Sequence, residues 1–196
     1  MALGLLIPAA RAQVQVAPET FLRLNADASI GYVKSSAQNG LSSVNFGLGA
    51  DLNGYFYHPN FLNFQIAPYY NQGREYSTAD FISGDKGFAT SANFFAGSRI
   101  PLFVSYSKGM TRSGLYGVVG SESSVVGEGS NDNLNVNWSA RFEKVPSFQV
   151  GYFRSGGDYR ILGASGSRGE SHASGYLLAS QYNVLGFAMG ASYTSQ

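Results

Sequence analysis

The chain has 196 residues, room for one domain of ordinary size, with Lys+Arg 13 against Asp+Glu 12 and no cysteine. That excludes a disulfide framework, a cysteine zinc site and a thiol nucleophile. A near-neutral balance with no clustered basic face also leaves no footprint for nucleic acid. Charged residues make up 13%, about half the usual share, yet mean hydropathy is only −0.08. Gly (25), Ser, Asn and aromatics (14%) fill the difference, which is a composition of strands and turns.

The chain opens "MALGLLIPAARAQ": a short apolar run, Ala2 to Ala10, then Ala10-Arg11-Ala12 as an A-x-A site before Gln13. This reads as a secretory signal peptide over residues 1–12, truncated at its start because the basic n-region is missing. The competing reading is an apolar N-terminal strand or helix. Residues 13–19 follow as a short lead. No other stretch approaches the roughly 18 apolar residues of a spanning helix.

Period-two alternation then recurs along the chain. Leu22, Leu24, Ala26, Ala28, Ile30 and Tyr32 alternate with Arg23, Asn25, Asp27, Ser29 and Gly31. Val44, Phe46, Leu48, Ala50 and Leu52 alternate with Asn45, Gly47, Gly49, Asp51 and Asn53. Leu62, Phe64, Ile66 and Tyr70 alternate with Asn63, Gln65, Tyr69 and Asn71, with Pro68 predicting a bulge. Weaker strands follow at 88–94 and 102–107. "LNVNWSARFEK" is the clearest: Leu134, Val136, Trp138, Ala140 and Phe142 against Asn135, Asn137, Ser139, Arg141 and Glu143. Strands at 148–153, around Tyr176–Leu178 and at 187–193 complete a count of nine.

The connections alternate as well. Four are tight: His58–Asn60, Ser98–Pro101, Lys144–Ser147 and Asn183–Gly186. Four are longer and rich in Gly, Ser and acids: Lys34–Gly40, Gln72–Gly87, Lys108–Asn131 and Arg154–Ser171. A soluble sandwich has strands of about five or six residues and Greek-key connections. Long strands joined by alternating short turns and long loops instead resemble bacterial outer-membrane β-barrel proteins, broadly porin-like, over residues 20–196. The expected fold is all-β: an antiparallel up-and-down transmembrane β-barrel of nine or ten strands. Aromatics near strand ends, among them Tyr55, Phe56, Tyr57, Phe61, Tyr32, Tyr70 and Tyr152, fit interfacial girdles.

The resemblance implies export to the outer membrane, insertion by the barrel-assembly machinery, and outer-membrane lipid as a partner. The chain departs from it by ending "ASYTSQ" without a terminal aromatic and by an odd strand count. Both point to part of a larger barrel, incomplete at its C-terminus; the alternative is a tenth strand in Ser113–Val126 or Arg154–Leu162.

Candidate chemistry is sparse. His58 precedes Pro59 in a tight turn. His172 and Ser174 form an H-x-S pair loosely similar to outer-membrane phospholipase A, but the surrounding motif is absent and no Asn orients the His. "SGDKG" lacks phosphate-loop spacing, and Glu128 with Asp132 lacks the acidic spacing of a calcium loop. No cofactor or metal is implied, and an enzyme is the least favoured class. The pore-lining set is Arg23, Asn25, Asp27, Asn45, Asp51, Asn53, Asn63, Asn135, Asn137, Arg141 and Glu143. In a wide barrel these residues line a water-filled channel for small hydrophilic solutes and tune selectivity; in a narrow one they hydrogen-bond across a closed interior and hold the barrel together. The expected function is a porin-like passive channel. The alternatives are a structural or adhesive barrel acting through its loops, chiefly Lys108–Asn131, and a soluble secreted β-protein.

Overall fold

The computed structural model describes residues 2–17, 19–34, 42–76, 80–116, 125–142, 145–162, 167–184 and 187–195. These form one antiparallel sheet of ten strands in sequence order, with no helix among the described residues. The strands are β1 (Ala2–Ala17), β2 (Thr20–Lys34), β3 (Ser42–Phe56), β4 (Leu62–Tyr76), β5 (Asp80–Phe94), β6 (Leu102–Tyr116), β7 (Val125–Ala140), β8 (Ser147–Leu162), β9 (Arg168–Val184) and β10 (Phe187–Ser195). Each strand contacts only its neighbours in sequence. The sheet is a single layer, and β1 and β10 do not join.

Three expectations change. The nine strands found by alternation are β2 to β10, and the tenth lies in neither region proposed for it. It is β1, formed by the segment that carries the leader and lead features and paired to β2 from Ala2↔Val33 to Ala17↔Thr20. A short run of small apolar residues fits a leader and a strand equally well, so composition could not separate them.

The long loops are largely sheet. β4 continues to Tyr76 and β5 begins at Asp80; β6 reaches Tyr116, β7 begins at Val125, β8 reaches Leu162 and β9 begins at Arg168. The alternation of short turns and long loops is therefore lost. These extensions mix polar and apolar residues on both faces without strict alternation, so hydrophobic period does not reveal them, yet backbone pairing needs no apolar face. The 35–41 connection lies outside the described residues. Pro68 makes no bulge: the register is the same at Gly49↔Tyr69 and Leu52↔Ile66, and Pro68 stands opposite Phe88.

The sheet has almost no interior. Among the described residues only Val126 and Ala140 are buried hydrophobics. The accessible surface is 13457 Å², against about 9,000 Å² for a folded monomer of this mass. More than two dozen large apolar side chains are over a third exposed. Covering what remains exposed on each would be worth about 1 kcal/mol, a sum beyond the 5–15 kcal/mol by which ordinary domains are stable.

Close backbone approach fixes some glycines. A Cβ on Gly87 would lie 2.2 Å from the Lys108 carbonyl oxygen and 2.9 Å from Gly109 Cα, whereas one on Gly84 would meet nothing closer than 3.5 Å. Gly87→Ala should destabilise the folded sheet by about 1–3 kcal/mol, and Gly84→Ala by no more than about 0.5 kcal/mol. Urea unfolding of the two variants in detergent measures the difference; equal midpoints would show that the strands separate at Gly87.

Candidate functional site

Alternation and register sort the side chains onto two faces. Partners in the ladders link Arg23↔Asn53, Asn25↔Asp51, Asp27↔Gly49 and Gly31↔Asn45 between β2 and β3. Asn53↔Gln65 and Tyr55↔Asn63 carry the same face onto β4. From there it runs through Asn63↔Asn93 to Asn93↔Phe103 and Phe103↔Asn137, with Ser105↔Asn135 alongside. Nine of the eleven expected lining residues therefore share one polar face: Arg23, Asn25, Asp27, Asn45, Asp51, Asn53, Asn63, Asn135 and Asn137. Arg141 lies just past the end of β7, its N–H donating to the Arg99 carbonyl at 2.7 Å. Glu143 lies outside the described residues.

None of those nine is buried. Their hydrogen bonds run sideways along the sheet. Asn53 Nδ2 and Gln65 Nε2 donate to the two Asp51 oxygens at 3.0 and 2.8 Å. Asn71 Nδ2 donates to Asp85 Oδ2 at 3.1 Å, Asn93 Nδ2 to Asn63 Oδ1 at 3.0 Å, and Asn137 Nδ2 to Asn135 Oδ1 at 2.6 Å. Each bond joins residues of one strand or of adjacent strands, so among the described residues nothing bridges or fills the space above this face. Shallow troughs of about 240 and 400 Å³ open on it, with Gln65, Ser91, Asn93 and Asn135 among their lining residues.

Sequence reading missed Glu75 and Asp85, which it left in an expected loop. The register places them on the polar face, Glu75 opposite Ser43 and Asp85 between Asn71 and Thr111. The clue was the continued period Asn63, Gln65, Asn71, Glu75, overlooked because the apolar half of the pattern stops at Tyr70.

The opposite face is apolar near the turns and charged towards the far ends. An oblique aromatic row marks the change: Tyr32, Phe46, Tyr70, Phe88, Tyr106, then Leu134 in place of an aromatic, Tyr152 and Tyr176. Phe46–Tyr70, Phe88–Tyr106 and Tyr152–Tyr176 centroids are 6.3, 5.7 and 5.0 Å apart. Relative to the ladder partners the row slips two residues towards the turns at five of seven strand steps and none at the other two. Ten residues at about 3.3 Å against seven spacings of about 4.8 Å give an angle of roughly 45°. A second aromatic group lies at the turns, where Phe61 packs edge-on against Tyr57 and Phe95 at 5.9 and 5.5 Å.

Beyond the row, acids on this face meet arginines. Arg74 pairs with Asp80 at 2.6 Å, Arg168 with Glu170, and Glu128 accepts from Arg160 at 2.5 Å with Arg112 3.3 Å away. Glu128 is thus committed, and the described residues hold no group of three potential metal ligands. A concavity of about 600 Å³ opens here between Tyr70, Lys86, Met110, Arg112, Glu128 and Arg160. His172 and Ser174 are exposed on the same face of β9, opposite Gly156 and Arg154, with no hydrogen bond between them among the described residues. His58 is a turn residue: its carbonyl accepts from Phe61 N at 2.8 Å and its Nδ1 from Asn60 N at 3.1 Å.

A comparison with protein-family models and with curated proteins finds no match to the chain.

The two faces should respond differently to charge. Val136 stands between Val104 and Tyr152 on the apolar face, and Asn137 between Phe103 and Gly151 on the polar one. Val136→Arg should cost about 2–4 kcal/mol of folding into liposomes and Asn137→Arg under about 1 kcal/mol. Denaturant titration of liposome folding checks this; equal costs would mean that lipid does not distinguish the faces.

Proposed function

We propose that the chain forms the wall of a porin-like channel in the bacterial outer membrane, passing small hydrophilic solutes passively. The observation that carries this reading is the sorting of side chains in a single layer. Among the described residues one face is apolar with nothing packed on it, and the other is polar and unfilled. A water-soluble sheet needs a second layer over its apolar face, and none is present among the described residues. Lipid supplies that cover without one.

Dimensions support the reading. If the aromatic row lies at a membrane interface, its slope is the strand tilt, and roughly 45° is at the upper end of the 35–45° of outer-membrane barrels. A strand of 15 residues is about 50 Å long and rises about 35 Å at that tilt. The apolar band of such barrels is about 25 Å tall, which a strand of this length and tilt can span. Arg–carboxylate pairs beyond Tyr70 and Phe88 then stand in the headgroup region, where polar side chains stay hydrated.

Membrane residence demands closure, because backbone groups on an open edge have no partner in hydrocarbon. The reading therefore includes pairing of the β1 and β10 edges, with each other or through further strands of a larger barrel. It also includes export and insertion by the barrel-assembly machinery; a leader removed before Gln13 would take most of β1 with it and leave β2 as the closing edge. The adhesive alternative loses its main motive, since most of Lys108–Asn131 is strand.

Planar-bilayer recording of the refolded full-length protein tests the proposal. Stepwise conductance increments are expected; bilayers that take up the protein and show none would overturn it.

A further inference from the structure

The polar face carries an unbalanced charge. Among residues whose side chains are described, its strand positions hold one cation, Arg23, and four acids: Asp27, Asp51, Glu75 and Asp85. The chain as a whole is almost neutral, so the imbalance comes from how the sheet sorts its charges. The compensating cations, among them Arg74, Lys86, Lys108, Arg112, Arg154 and Arg160, stand on the other face beyond the aromatic row.

The partners of the acids repeat this division. Asp80, Glu128 and Glu170 on the apolar-side extensions are each neutralised by arginine, while Asp158 there accepts from the Ser130 hydroxyl. Asp51 and Asp85 instead accept from amides, Asn53, Gln65 and Asn71. Amide bonds fix a carboxylate in place and leave its charge intact. No described ion pair involves Asp27, Asp51, Glu75 or Asp85.

Height concentrates the effect. Asp27 lies five residues to the turn side of Tyr32 on β2, and Asp51 lies five residues to the turn side of Phe46 on β3. Since those aromatics belong to one row, the two carboxylates share a level on adjacent strands, part-way down the apolar band. Asp85 and Glu75 lie on the far side of the row, on the approach to that level. A permeating ion would meet acids at the entrance and again within the band, with Arg23 four residues further towards the turns.

We infer that the channel selects small cations over anions, with Asp27 and Asp51 as the residues that set the preference. This rests on the channel reading above. Carboxylates within about a Debye length of the permeation path in water raise the local cation concentration and lower that of anions. Two of them at 8–10 Å give a K+ over Cl− preference of roughly threefold at moderate salt.

Reversal potentials of the refolded full-length protein across a KCl gradient test the inference. The unmodified protein should reverse on the cation-selective side, at a permeability ratio of roughly three. D27N/D51N, which keeps side-chain size and hydrogen bonding, should move the ratio towards one. R23Q should raise it, which a general loss of structure would not do. Conductance with an anion preference, or a ratio unmoved by D27N/D51N, overturns the inference and leaves the channel standing. Absence of conductance removes both.

Discussion

A sheet one layer thick cannot bury its own apolar face, and the rest of the architecture follows from that constraint. Ten strands pair edge to edge and meet only their sequence neighbours. Backbone hydrogen bonds hold them together; side-chain packing contributes little, since only Val126 and Ala140 lie buried among the described hydrophobics. What the molecule lacks is a solvent for its greasy side. The proposed lipid environment supplies one, and it also explains why the strands are three times longer than those of an ordinary sandwich.

The same constraint orders the charges. On the extensions beyond the aromatic row the apolar alternation stops, and acids and arginines pair laterally. Within the band, charge is confined to the polar face, where amides and not arginines hold Asp51. In the proposed lipid environment a charge on the other face at that level would lack water and a partner, and the near-neutral chain has an acidic side and a basic rim. Tilt links these features: because the aromatic row runs oblique to the strands, residues with different ladder partners, such as Asp27 and Asp51, reach the same level.

Much of this was legible in the sequence because period two survives wherever one face is apolar. The assignment of Arg23, Asn25, Asp27, Asn45, Asp51, Asn53, Asn63, Asn135 and Asn137 to a common face needed only alternation and a consistent register. Where polar and apolar residues mix on both faces the signal vanishes. Gln72–Tyr76, Asp80–Gly87 and Arg154–Leu162 look like loops by composition and are strands by pairing, and Asp85 and Glu75 were hidden with them. β1 was obscured for the opposite reason: Ala2–Ala10 is apolar without alternation, which suits a leader as readily as a strand. Pro68 misled because a missing N–H suggests a bulge, whereas the ladder passes it in register.

The central claim is that the face bearing Val136 meets lipid and the face bearing Asn137 meets water. The absence of native cysteine makes a direct measurement simple. Val136→Cys and Asn137→Cys, each labelled with a small environment-sensitive fluorophore after folding into liposomes, can be quenched by brominated lipid or by aqueous iodide. The account expects lipid quenching at 136 and iodide quenching at 137, one residue apart. Iodide quenching at both positions, or the reverse pattern, would contradict it.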